Sequence, residues 1–252
     1  MNIAKNTVSK PFSMEDLEKV LKNLKSGKSR DPTGISREIF SLSNIGNNLK
    51  ESLLTLCNKI KEQGVIPEFM RETTITTIPK KGPRTELKNE RGIFLVNSVR
   101  GILMRLLFTS ENYMIDSNMS DSNIGGRQNK SCINHIWVIN SIIHDQIKSK
   151  NALPVMFQQY DYRQMFDSMN LSEACSDLFD IGLKSDKLQL LYNANKQVKL
   201  KVKTPSGLTG ETSMNEIVMQ GDTWASTMAS VQCDAFGKNL LVEDASYLYK
   251  YK

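Results

Sequence analysis

"FQQYDYRQMFDSM", residues 157–169, sets Asp161 at the close of the run "ALPVMFQQYD" and brings Phe166 and Asp167 five and six residues later. The run reads as a strand, and the residues after it as a corner leading into a helix. A carboxylate at the end of a strand is a common metal-ligand or catalytic position, and equally a common turn residue. The stretch alone leaves both readings open, and the rest of the chain has to choose between them.

Upstream, the periodicity is helical. "SMEDLEKVLKNLKSGKS" carries a Ser13 cap, acids in its first turn, and Leu17, Val20, Leu21 and Leu24 at helical spacing. After the turn "SGKSRDPTGI", two helices are predicted, broken near "NIGNN", the second ending at Gly64. "TTITTIP" (73–79) and "IFLV" (93–96) read as paired strands around the polar "KKGPRTELKNERG". "NSVRGILMRLLFTSENYMI", capped by Asn97 or Ser98, and "CINHIWVINSIIHDQIKS" read as amphipathic helices.

Beyond residue 150 the pattern changes. Short helices are expected in "NLSEACSDLFDIG" and "SDKLQLLYNAN". "KQVKLKVKTPSG" alternates strictly, with "GETSMNEIVMQG" as its partner, then a helix in "DTWASTMASVQCDAFGKNLL" and a strand start in "ASYLYKYK". The expected class is α+β: a helix-rich part over residues 1–150 and a second part over 151–252, with small antiparallel sheets.

Charge divides along the same line. Residues 1–150 hold 23 Lys/Arg against 15 Asp/Glu, and residues 151–252 hold 10 against 12. A basic first part suits a polyanionic partner, or simply a solubilising surface. No apolar run approaches a membrane span of roughly 18 residues, and "MNIAKNTVSKPFSMEDL" lacks the pattern of a secretory signal. The four cysteines show no C-x-x-C spacing, which argues against a zinc site or a disulfide framework and for a reducing, intracellular compartment, nuclear or cytoplasmic.

Three further groups carry possible chemistry. Lys80, Lys81 and Arg91 stand near the ends of the predicted strand pair, where cations can hold a phosphate chain; a solvated hairpin tip looks the same. "MQGD" puts Gly221 between a strand and a helix, where a missing side chain admits a ligand, or where Asp222 merely caps the helix. Lys199, Lys201 and Lys203 share one face of an alternating strand, suited either to tracking a phosphate backbone or to guarding a sheet edge.

Taken in order, these stretches resemble the reverse transcriptase domain of non-LTR (LINE-type) retrotransposons. The segments that carry the resemblance are "LKSGKSRDPTGI", "TTITTIPKKG", "NERGIFLVNSVRGILMRLL", "SDSNIGGRQNKSCINHI", "QQYDYRQMFDSM" and "KVKTPSG…NEIVMQGD", spanning about residues 14–245. The chain departs from the family at Asp31-Pro32-Thr33-Gly34 for Gly-Pro-Asp-Gly, at Gly92 for Pro, and at Ala225-Ser226 for Ser-Pro. The family's second acidic motif is not reached by Lys252.

The resemblance implies right-hand polymerase fingers (1–150) and a partial palm (151–252), acting in the full-length protein as an RNA-directed DNA polymerase. It implies two Mg²⁺ ions, with Asp161 as catalytic carboxylate and metal ligand and the Tyr162 carbonyl as a further ligand. Lys80 and Arg91 would hold the incoming deoxynucleoside triphosphate, Phe166 would lie beneath its sugar, and Gln220 and Gly221 would line the templating pair. Arg127 would join Lys199, Lys201 and Lys203 on an RNA template and DNA primer. A nucleic-acid-binding remnant without catalysis and a structural protein that keeps only the fold are the alternatives, and this chain alone is expected to be inactive.

Overall fold

The computed structural model describes residues 10–83, 86, 89–149, 157 and 159–242. The fold is α+β and about half helical, with one small mixed sheet. Most elements form where local chemistry predicts them. Helix α1 (Met14–Lys22) opens on a reciprocal capping box: Ser13 Oγ accepts the Asp16 N–H, and the Asp16 carboxylate accepts the Ser13 N–H at 2.9 Å. A single 3₁₀ turn (Arg37–Phe40) stands where the first of two helices was predicted, and α2 (Asn47–Gln63) follows. It ends at Gly64, whose φ of 67° only glycine adopts without strain.

Strand β1 (Glu72–Pro79) and strand β2 (Glu90–Val96) form the expected antiparallel hairpin. Helix α3 (Ser98–Asn118) then begins with its first three N–H groups satisfied: Asp31 Oδ2 takes Ser98, and Asn97 Oδ1 takes Val99 and Arg100. Asp31 also accepts from Thr33 and Ile35, so the departure at 31–34 forms a local turn pinned to the head of α3.

Helix α4 (Cys132–Lys148) is followed by α5 (Met165–Ser168), α6 (Leu171–Asp180) and α7 (Ser185–Ala194). Then come β3 (Lys196–Thr204), β4 (Gly207–Leu208), β5 (Thr212–Glu216) and α8 (Ala225–Val242). Most of the strand predicted in "ALPVMFQQYD" and all of "ASYLYKYK" lie outside the described residues.

The sheet corrects one expectation. Instead of separate antiparallel sheets there is a single five-stranded sheet in the order β2-β1-β3-β4, with β5 also paired to β3. Strand β3 runs parallel to β1, with Glu72 opposite Lys199 and Thr74 opposite Lys201, and antiparallel to β5. A parallel neighbour needs a long connection, which residues 80–195, β2 among them, supply. β3 is therefore interior, and its lysines do not guard an edge.

The large core joins α1, α2, α3, α6, α7 and α8 through residues such as Leu17, Cys57, Leu103, Leu178, Leu191 and Met228, with Trp224 just before α8. Trp224 donates its indole N–H to the Met104 carbonyl at 3.0 Å and meets Phe108 edge-on. A smaller core of Phe94, Val96, Val198 and Met219 lies under the sheet. Helix α4 buries none of its apolar residues against the described parts of the chain, unlike the amphipathic helix its sequence predicts.

Candidate functional site

The sheet register settles which side chains share a face. Phe94, Val198, Leu200 and Ile75 belong to the side that meets the small core or follow from it by pairing. Arg91 is paired with Ile78 and Lys201 with Thr74, so strict alternation puts Arg91, Lys199, Lys201 and Lys203 on the opposite side. Lys80 follows Ile78 by two residues on that same side, just past the end of β1, with its N–H on the Asn89 carbonyl at 2.6 Å. Two clusters read separately from the sequence thus lie on one cationic face.

Acids temper that face. Lys199 pairs with Glu68 and lies 3.8 Å from Glu211, and Lys201 lies 3.6 Å from the same carboxylate. The Glu68 partner holds the Lys199 ammonium above its ordinary pKa. Arg91 and Lys203 form no ion pair with another described residue and are exposed.

The Q-G-D turn meets the hairpin directly. The Phe94 N–H donates to the Gln220 carbonyl at 3.0 Å. Gly221 has φ of 109°, and a β-carbon there would stand 3.2 Å from the Phe94 carbonyl oxygen. The conformation calls for glycine there, and the closeness of the β2 backbone leaves a side chain little room. The partner that Gly221 admits in this structure is the hairpin strand itself.

Asp222 departs from its expected role as a helix cap. Its Oδ2 receives Arg100 Nη2 at 2.6 Å and Nε at 3.2 Å, and its Oδ1 accepts the Thr223 N–H. Arg100 also donates to Asn195 Oδ1 at 3.0 Å and to the Ala194 carbonyl. Both charged side chains are almost wholly buried, at 1% and 3% exposure. This ion pair ties the Q-G-D turn to α3 and to the end of α7. Its signal in the sequence was an arginine set among apolar helix residues, "SVRGILM".

Asp161 is exposed on the loop before α5, and its carboxylate makes no hydrogen bond or ion pair with another described residue. Its neighbours Tyr160 and Tyr162 meet Phe236 of α8 edge-on, with ring centroids 5.5 and 6.2 Å away, and dock the segment on that helix. Phe166, on α5, packs partly buried against the large core. Among the described residues no three His, Cys, Asp or Glu side chains gather as a metal set. Asp161 has the hard anionic oxygens that suit Mg²⁺, but the described residues offer one such ligand and not a complete pair of sites.

Arg127 acts inside the fold. Its guanidinium donates to Asp116 Oδ1 and to the carbonyls of Asp116, Ser120 and Asn123, all between 2.7 and 2.9 Å, and its side chain is 6% exposed. It braces the loop between α3 and α4, with four of its five N–H groups spent there. No family model matches this chain.

Proposed function

We propose that this chain is the fingers and partial palm of an RNA-directed DNA polymerase of the non-LTR retrotransposon kind. The reading rests on the ordered motifs and is supported by one juxtaposition: the "PKKG…NERG" hairpin and the "MQGD" turn, far apart in sequence, hydrogen-bond to each other through Phe94 and Gln220. In such a protein these two elements would border the incoming nucleotide and its templating base. Lys80 and Arg91 would neutralise triphosphate oxygens, and Lys199, Lys201 and Lys203 would follow a strand backbone on the same sheet face. Phe166 would limit room at the sugar.

Asp161 would act as a carboxylate ligand for Mg²⁺, with the Tyr162 carbonyl beside it. Bound Mg²⁺ supplies Lewis acidity and charge neutralisation in deoxynucleotidyl transfer. The remaining carboxylate ligands would come from outside the described residues.

Primer extension tests the proposal: the open reading frame containing this chain, an RNA template, a DNA primer, deoxynucleoside triphosphates and Mg²⁺. Templated incorporation is expected, and Asp161→Asn should abolish it while primer–template affinity persists. Full extension by Asp161→Asn would remove that assignment. Salt-dependent binding without incorporation would favour a nucleic-acid-binding protein that lacks catalysis.

A further inference from the structure

Arg37 and Arg105 lie close enough in the first part of the fold for their charges to act on each other, and Asp222 and Asp31 act on Arg37 more weakly. Arg37 opens the 3₁₀ turn, and its guanidinium lies on α3 at Gly101, where a β-carbon would stand 3.2 Å from Nη2. Arg105 lies on α3 four residues beyond Gly101, hence on the same helical face one turn along. Its Nε is buried and has no hydrogen-bond partner. Neither guanidinium forms a hydrogen bond or ion pair with another described residue.

The nearby acids are committed elsewhere, Asp222 to Arg100 and Asp31 to Thr33, Ile35 and Ser98. Burial, and then the positive charge of Arg105, push the Arg37 guanidinium below its ordinary pKa.

A half-buried guanidinium without partners loses water and gains nothing in return. Two together add repulsion. Arginine does not escape by giving up its proton, so the arrangement calls for an anion. Guanidinium forks match phosphate oxygens in geometry, two N–H groups to two oxygens. The preceding loop carries Lys25, Lys28 and Arg30, all exposed and without an ion pair among the described residues, and it extends the positive field away from the pair.

We propose that Arg37 and Arg105 form a phosphate-binding site, filled by a phosphate group of a nucleic-acid strand or of a nucleotide. The site is independent of the polymerase reading, since it uses none of the residues assigned there and its test requires no catalysis.

Thermal unfolding of the purified 252-residue chain, in inorganic phosphate and in chloride at equal ionic strength, reads the site. Phosphate should raise the Tm of the native sequence, and Arg37→Gln and Arg105→Gln should each lose most of that rise. In chloride both variants should melt at or above the native temperature, because one of two repelling cations is gone. Arg37→Lys, which keeps charge but not the fork, should respond partly.

Fluorescence anisotropy then separates the two sources. If a short single-stranded RNA binds the Gln variants with a salt slope lower by about one, the phosphate belongs to a strand. If a nucleoside triphosphate alone binds them more weakly, it belongs to a nucleotide. Equal stabilisation of the native chain and both variants by phosphate would overturn the proposal. So would a native chain that does not respond to phosphate, or a lowered Tm of both variants in chloride.

Discussion

Asp222→Ala should be among the most damaging single substitutions in the chain. Among the described residues it removes the one carboxylate on Arg100, whose side chain is 1% exposed and has no other charged partner there. The Asn195 amide oxygen and the Ala194 carbonyl remain, so two of the guanidinium's contacts survive and the Nε and one Nη2 contact are lost. Breaking a buried pair from one side costs about 3–5 kcal/mol, because the remaining ion has neither water nor counter-charge. Against a total stability of roughly 5–15 kcal/mol that loss is a large fraction. For a chain of this length it lowers the Tm by about 6–20 °C.

Urea unfolding followed by the fluorescence of buried Trp224 reads the change, because that indole is anchored two residues from Asp222. The double variant Arg100→Met/Asp222→Leu should recover most of the loss, since an apolar pair removes the orphaned charge. A loss below about 1 kcal/mol in Asp222→Ala, or a double variant that costs the sum of its singles, would refute the ion-pair account.

Acid should weaken the fold through carboxylates held low by their partners, Asp31, Asp234 and Asp116 among them. Burial raises Asp31 and Asp234, but hydrogen bonds from Thr33 and Ser98, and from Lys238 and Ser120, overcome it and hold both below the ordinary value of 3.8; Arg127 does the same for Asp116. Their folded pKa values lie below the unfolded ones, so their stabilisation is complete above about pH 5 and is lost as pH falls through the folded values. Asp31→Asn should flatten that fall in the urea midpoint, and an unchanged slope would exclude Asp31. Burial pushes the Cys57 and Cys175 thiols up to about 12, while Cys132 is exposed. A thiol reagent should therefore label Cys132 rapidly in the native protein and reach Cys57 and Cys175 only in denaturant. Phe166→Ala should cost about 1.5–2.5 kcal/mol, half the usual price of a buried phenylalanine, as read by urea midpoint; no loss would deny it a packing role. If the chain binds a primer–template duplex as proposed, replacing Lys199, Lys201 and Lys203 by Gln should flatten the salt dependence of that binding, with Lys203 contributing most because Glu68 and Glu211 already engage the other two; an unchanged slope would remove the strand-tracking role.

Local chemistry made the helices and strands legible. Ser13 and Asp16 announce α1, Gly64 ends α2, Asn97 opens α3, and the alternation of Val198 and Leu200 with lysines gives β3 its two faces. These are interactions within a few residues, and their rules depend on spacing alone. The α+β class follows from them.

Pairing between distant segments does not leave such a trace. Nothing in the spacing of "KQVKLKVKT" tells that it lies parallel to β1, since the same alternation serves an edge or an interior strand. That placement alone sets Lys199 and Lys201 on the face of Arg91. Asp222 looked like a helix cap because an aspartate before a helix is read from its neighbours, whereas its partner Arg100 is 122 residues away. Arg127 looked available to a nucleic acid for the same reason, until the loop closed around its guanidinium. The sequence determined which segments could bury an apolar face and where they start and stop. Tertiary structure decided which charges face each other, because a charge's partner is fixed by three-dimensional proximity and not by its place in the chain.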